Sequence, residues 1–238
     1  MNIELQKFNI NSIDRHESVL IIGKPLIGKS ILTKDIMYHY RNITTGIVIS
    51  SNKSYSTIIP DIFIHNNYDE NLISNFINIQ RQRQMYNINN KLLINQDKEE
   101  NTEENKEENT EQEQIELRKF LILDDCIYVN SWSKSEDIKT LFMNGKHYNI
   151  FFILTMQYVI NIPPNLRANI DYIFILKENI IRNQKKLYDC YANMFPSLEV
   201  FSQVLEKYTQ NFECLVIDNT SKSTEISDKV FWYKAEVR

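Results

Sequence analysis

A chain of 238 residues with 42% hydrophobic residues is long enough for one sizeable α/β domain with elaborations. Its longest nearly apolar stretch, Ile150 to Ile160, is about half of what a membrane span needs, so no integral membrane segment is expected. The formal net charge of −4 is unevenly spread: residues 97–116 hold ten acids and two lysines, a local charge of −8, and the remainder carries +4. That balance permits contact with a polyanion without forming a polybasic patch. Met1-Asn2-Ile3-Glu4 has neither the basic nor the apolar region of a secretory signal. Cys126, Cys190 and Cys214 form no C-x-x-C pair and no disulfide framework, so a reducing compartment is expected.

In chain order, Ile3 to Ile10 alternates loosely, and Val19 to Ile22 reads as a buried strand. Gly23-Lys24-Pro25-Leu26-Ile27-Gly28-Lys29-Ser30 follows, a G-x-x-x-x-G-K-S pattern leading into a helix-compatible segment, Ile31 to Arg41. Such a loop curls so that successive N–H groups point at phosphate oxygens, which Gly23 and Gly28 permit. Lys29 then reaches the β- and γ-phosphates, Ser30 ligates Mg²⁺, and the helix N-terminus adds its positive end. The expected nucleotide-binding set is Gly23, Lys24, Pro25, Leu26, Ile27, Gly28, Lys29, Ser30 and Ile31, with Lys29 exposed until the ligand arrives. Two of the chain's four glycines sit in this loop, which lowers the odds of a chance match. Pro25 removes one N–H donor, and Leu26 and Ile27 are bulky where small residues are usual.

Thr45 to Ser50 reads as a second strand, Ile62 to Ile64 as a third, and Glu70 to Tyr86 as a helix with Arg81 and Arg83 near its end. Next come Glu-Glu-Asn tandem tetrapeptides. Residues 97–116 have one aliphatic side chain, Ile115, and no aromatic, so they are expected to form a disordered acidic insert in a single 1–238 domain. Phe120 to Leu123 is a buried strand closed by Asp124-Asp125, Glu136 to Met143 a helix, and Ile150 to Thr155 another buried strand with Gln157 just past it. Pro163-Pro164 break the chain, Tyr172 to Leu176 is a strand, and Glu178 to Asn193 and Ser197 to Thr209 read as helices. Phe212 to Ile217 and Val230 to Tyr233 are late strands. This alternation predicts an α/β fold with a mostly parallel sheet covered by helices on both faces.

Mg²⁺–ATP takes a carboxylate at the carboxyl end of a neighbouring strand, and Asp124 fits that role. Asp125 is then placed to activate the attacking water. Such a pair also occurs as a turn or a helix cap. Gln157 is either a γ-phosphate sensor or a solvated strand end. Arg167 either stabilises transition-state charge or pairs with Asp171, and Lys146-His147 can do likewise. No metal-ligating cluster surrounds His147.

The sequence resembles the genome-packaging ATPases of poxviruses and giant DNA viruses, with the mimivirus-like branch nearest. The residues that carry the likeness are the phosphate loop, Leu121-Ile122-Leu123-Asp124-Asp125, Asn144-Gly145-Lys146-His147-Tyr148, Thr155-Met156-Gln157-Tyr158 and Leu166 to Tyr172. Met194-Phe195-Pro196-Ser197, Cys214 to Asn219 and Val230 to Glu236 continue it, so it covers nearly the whole chain outside the acidic insert. The resemblance implies a RecA-like core of the FtsK–HerA class, in which the strand ending at Gln157 lies between the phosphate-loop strand and the Asp124 strand. It also implies ATP and Mg²⁺ as ligands, a homo-oligomeric ring, double-stranded viral DNA and capsid or portal proteins as partners, and work in a viral factory of the host cytoplasm or in the virion. Lys29, Ser30, Asp124, Asp125 and Gln157 match nucleotide, magnesium, base and sensor positions. Lys146 stands where the family usually has Arg, which keeps the charge but loses the fork geometry and makes Arg167 the rival trans-acting cation. Two other readings stay open: a nucleoside or nucleotide kinase, and a non-catalytic DNA- or capsid-binding module with a degenerate loop.

Overall fold

The computed structural model describes residues 3–14, 16–51, 53–96, 118–126, 135–157 and 162–238. The acidic insert and Tyr158 lie outside them. The elements in order are β1 (Gln6–Lys7), β2 (Ser18–Ile22), α1 (Lys29–His39), β3 (Gly46–Ser50), β4 (Ile64–His65) and α2 (Glu70–Gln96), then β5 (Lys119–Asp124) and α3 (Glu136–Asn144). They continue with β6 (Ile150–Met156), α4 (Pro164–Arg167), β7 (Tyr172–Ile175), α5 (Ile181–Tyr191), α6 (Leu198–Tyr208), β8 (Glu213–Asp218) and β9 (Val230–Lys234). The strands form one sheet in the order β1-β9-β8-β7-β2-β6-β5-β3-β4.

Successive side chains of the central strands enter opposite layers, both of them buried. Leu20, Ile22, Leu121, Leu123, Phe152, Leu154, Ile173 and Ile175 point into one layer, shared with side chains of α2, α3, α5 and α6. Val19, Ile21, Val48, Ile122, Phe151, Ile153 and Phe174 point into the other, where Leu32, Ile36 and Met37 of α1 cover them. Strands buried on both faces have no solvent side, hence the continuous apolar runs in the sequence. At Gly46 the β3 backbone runs so close to β5 that a Cβ would stand 2.1 Å from the Phe120 carbonyl.

The sheet is mostly parallel, as expected: β8 alone runs antiparallel, to β7 and β9. Two helices, α5 and α6, separate β7 from β8, and this double excursion returns the chain to the end of the sheet where β7 finished. Several boundaries differ from the sequence expectation. The helix from Glu70 runs on to Gln96, which puts Arg81 and Arg83 in its middle, not at its C-terminal end. Residues 61–63 form a 3₁₀ turn and only Ile64–His65 pair, at the sheet edge. The helix expected from Glu178 starts at Ile181, because the Glu178 carboxylate turns back to accept the Ile180 N–H at 2.7 Å and the Asn183 amide at 3.0 Å.

Parallel register decides what meets at the sheet's carboxyl edge. Ile22 is opposite Met156, and Asp124 is opposite Thr155. The residues that follow β2, β5 and β6 therefore emerge side by side, with β6 in the middle as the resemblance implied.

Candidate nucleotide site at the carboxyl edge of the sheet

The loop leaves β2 at Gly23, whose N–H still donates to the Met156 carbonyl at 3.0 Å. A Cβ on Gly23 would stand 2.7 Å from Ile27 Cγ2 and 3.0 Å from Leu176. Ile27 thus packs inward beneath the loop, against the α1 side of the core. Leu26 takes the left-handed φ of 62° and is wholly exposed, a conformation seldom adopted by a residue with a branched side chain. Gly28, at φ 113°, turns the chain into α1, where Leu32 N–H donates to its carbonyl. The bulky residues of the loop therefore point outward or down, away from the concave backbone. Lys24 leans over it to pair with Glu178 at 2.6 Å. Burial favours the neutral form of Glu178, but Lys24, the Ile180 N–H and Asn183 outweigh it and hold the carboxyl below its ordinary range.

Lys29 is not exposed, contrary to the sequence expectation. Its side chain is 5% exposed and its ammonium donates to the Gly23 and Lys24 carbonyls at 2.9 and 3.1 Å. It also pairs with Asp125 Oδ2 at 2.9 Å. Loop carbonyls and a carboxylate stand in for phosphate oxygens, which is the least costly way to hold a buried ammonium without a ligand.

The acid pair divides its work. Asp124, at the end of β5, is buried, and its two oxygens accept hydroxyl hydrogens from the flanking strands: Thr155 at 2.6 Å and Ser50 at 2.8 Å. Asp125 turns the chain out of the sheet at φ 48°, its N–H donating to Thr155 Oγ1 at 3.0 Å. Its Oδ2 accepts from Lys29 and, at 3.3 Å, from the Gln157 amide. Its Oδ1 is buried and has no hydrogen-bond partner among the described residues. The pair is thus neither a helix cap nor a solvated turn. Cys126 follows, and burial and then the Asp124 charge push its thiol up to about 12.

Ser30, in the first turn of α1, and Asp124 offer the hard oxygen donors that suit Mg²⁺. Among the described residues no three His, Cys, Asp or Glu side chains gather to hold a metal. A site with two protein oxygens fits an ion that keeps several waters and arrives with the phosphates.

Comparison with known proteins gives the chain a family and its fold a precedent. Protein L437 of Acanthamoeba polyphaga mimivirus, an uncharacterized protein, is 38% identical over 99% of the chain and 78% of its own length. Uncharacterized protein 075L of Invertebrate iridescent virus 6 is 32% identical over 95% of the chain and 80% of its own length. The chain belongs to this family of large-DNA-virus proteins. No family model matches it. Among solved structures, the genome-packaging NTPase B204 of Sulfolobus turreted icosahedral virus 2, crystallised with AMPPCP, superposes with a TM-score of 0.60. That match covers 94% of this chain and all of B204 at 16% identity, and it shows a shared α/β, RecA-like fold. Relatives and fold agree with the resemblance to viral packaging ATPases carried by the sequence motifs.

The family's two candidate cations lie elsewhere. Lys146 precedes β6 and Arg167 precedes β7, so both sit at the amino edge of the sheet. The seven residues of β6 place Lys146 roughly 20 Å from the loop of its own chain. Asp171 takes Lys146 at 2.8 Å, whereas the sequence reading offered it to Arg167. The other Asp171 oxygen accepts the Ser18 N–H and hydroxyl at 2.8 and 2.9 Å, tying the starts of β2 and β7. Arg167 instead lies over the Tyr191 ring, 5.7 Å from its centroid.

The sequence reading missed Ser50, as well as Thr155 and Glu178 as members of the site. The available signal was a hydroxyl closing an apolar run, in Ile49-Ser50 and Leu154-Thr155, on the strands either side of the acid pair.

Lys29→Ala should therefore not be silent in the ligand-free protein. It leaves the Gly23 and Lys24 carbonyls and a partly buried Asp125 without their cation, at a cost of about 1–2 kcal/mol given the solvent at Asp125. Urea unfolding without nucleotide should show a lower midpoint at an unchanged slope. A wild-type midpoint would mean that the ammonium contributes nothing before ligand binds.

Proposed function

We propose that the chain is an ATP-hydrolysing motor that moves viral double-stranded DNA into a capsid. The observation that carries this reading is the Asp125 carboxylate: one oxygen is held by Lys29 and Gln157, and the other is buried without a partner, an acceptor kept for a substrate proton. Viral relatives along nearly the whole chain, and the fold shared with a packaging NTPase, support the same conclusion.

The loop N–H groups and the α1 N-terminus bind the phosphates of ATP, and Lys29 exchanges its carbonyl partners for β- and γ-phosphate oxygens. Ser30 and Asp124 would hold Mg²⁺, which would supply charge neutralisation for the phosphates. Thr155 and Ser50 fix the Asp124 rotamer, so no reorganisation is needed when the ligand enters. Asp125 Oδ1 accepts the proton of the water that attacks the γ-phosphorus, and ADP leaves as the bridging bond breaks. Gln157 orients Asp125 and reports the loss of the γ-phosphate to β6.

The ring and its partners complete the proposal. Lys146 and Arg167 are too far from their own loop, so either one serves only the loop of a neighbouring copy, amino edge against carboxyl edge, in a homo-oligomeric ring. A cation supplied in trans is worth about 10³–10⁵ in rate in comparable NTPases. Double-stranded DNA and capsid or portal proteins are the expected partners, and the host-cell site of virion assembly the place of action.

Asp125→Asn should bind Mg²⁺–ATP with near wild-type affinity and hydrolyse it at least a hundredfold more slowly, since the base is lost while the metal ligand remains. Asp124→Asn should lose the Mg²⁺ dependence of binding itself. Calorimetry and phosphate release measure the two effects, and equal losses of binding in both variants would contradict the division of roles. Phosphate transfer to a nucleoside in the same assay would favour a kinase instead. In a mixing assay, the variant of the true trans cation, Lys146→Ala or Arg167→Ala, should bind ATP without turning it over and regain activity with Lys29→Ala subunits. No rescue with either variant would exclude a shared site.

A further inference from the structure

Tyr55 belongs to the 3₁₀ turn Lys53–Thr57, between β3 and β4. Its side chain is 0% exposed within the apolar layer under α1. The hydroxyl at its tip makes no hydrogen bond of acceptable geometry among the described residues. Ser30, Thr33 and Asp124 lie close enough to offer it loose polar contacts, none of them a well-formed hydrogen bond. Thr33 already donates to the Lys29 carbonyl at 3.0 Å, and both Asp124 oxygens already accept from Thr155 and Ser50. A buried hydroxyl without a well-formed hydrogen bond is costly, and phenylalanine would fill the same space without that cost. A phenol is protonated at neutral pH and is therefore a ready donor.

The hydroxyl lies beside the two residues that would hold magnesium, Ser30 and Asp124. An ion with only two protein ligands keeps waters, and those waters need acceptors and donors in the wall of the site. We propose that Tyr55 is a positioning residue for the magnesium nucleotide: its hydroxyl donates to the water shell between Ser30 and Asp124 and sets how tightly the metal is retained. The inference rests on the nucleotide-site reading above and adds to it a residue that no phosphate-loop or acid-pair motif contains. Partners of this kind outside the immediate ligands typically change metal affinity 10–100-fold when removed.

Tyr55→Phe tests it, because only the oxygen is lost. Binding of the non-hydrolysable analogue AMPPCP is measured by calorimetry in EDTA and across a Mg²⁺ titration, with ligand-free thermal unfolding alongside. The control is Tyr40→Phe, whose hydroxyl is satisfied by the Ile10 and Ile13 carbonyls at 2.8 and 2.7 Å, beyond the far end of α1. Tyr55→Phe should raise the Mg²⁺ concentration for half-maximal binding about tenfold, leave affinity in EDTA unchanged, and unfold at or above the wild-type temperature. Tyr40→Phe should unfold at a lower temperature and keep the wild-type Mg²⁺ requirement. A wild-type Mg²⁺ requirement in Tyr55→Phe overturns the inference and leaves the nucleotide reading standing. If AMPPCP binding to the wild type ignores Mg²⁺, that reading falls and the inference with it.

Discussion

A lysine ammonium cannot stay buried without acceptors, and Lys29 draws the rest of the site around it. Two carbonyls from the loop and one carboxylate from the end of β5 satisfy it, which ties the loop to the acid pair before any ligand is present. The tie is possible only because β6 lies between β2 and β5, with all three in parallel register and ending together. Thr155 on β6 then serves both acids, donating to Asp124 and accepting from the Asp125 backbone, while Gln157 beyond it reaches the Asp125 side chain. The loop, Asp124, Asp125 and Gln157 are thus mechanically one unit. In the proposed mechanism, exchange of the Lys29 partners for phosphate would release Asp125 from its ion pair when a base is needed.

The sheet is polar in a second sense. Its carboxyl edge gathers the nucleotide chemistry, and its amino edge carries Lys146, Asp171 and Arg167. The Lys146–Asp171 pair is half exposed on the lysine side, so it contributes little to stability by itself. Exchanging Asp171 for a neighbour's phosphate would cost Lys146 correspondingly little. Arg167, over an aromatic ring and partly exposed, is free to swing in the same way. In the ring proposed above, the amino edge of one copy would face the carboxyl edge of the next, a head-to-tail contact.

Much of this was legible in the sequence because buried parallel strands are apolar throughout and chemistry collects where they stop. Val19 to Ile22, Phe120 to Leu123 and Ile150 to Thr155 each end at a residue of the site. What was not legible depended on partners far away in the chain. The burial of Lys29 follows from Asp125, ninety-six residues on. The late start of α5 follows from one carboxylate folding back on its own helix, and the reversal of β8 follows from two helices filling a connection where a parallel crossover needs one. Ser50 and Tyr55 carry no motif of their own, and only the strand order brings them and Thr155 to the acid pair. In the loop, Leu26 and Ile27 looked unfavourable because sequence alone does not give side-chain direction; one points to solvent and the other into the core.

In the proposed motor, hydrolysis at the carboxyl edge is coupled to double-stranded DNA. Steady-state phosphate release by the purified protein in Mg²⁺–ATP, with and without long duplex DNA, tests that coupling most directly. Release should be slow alone and rise severalfold or more with duplex, the rise weakening as salt screens the phosphate contacts, and Lys29→Ala should show no release under either condition. Release that is unchanged by duplex at low salt, or that survives the loss of Lys29, would contradict it.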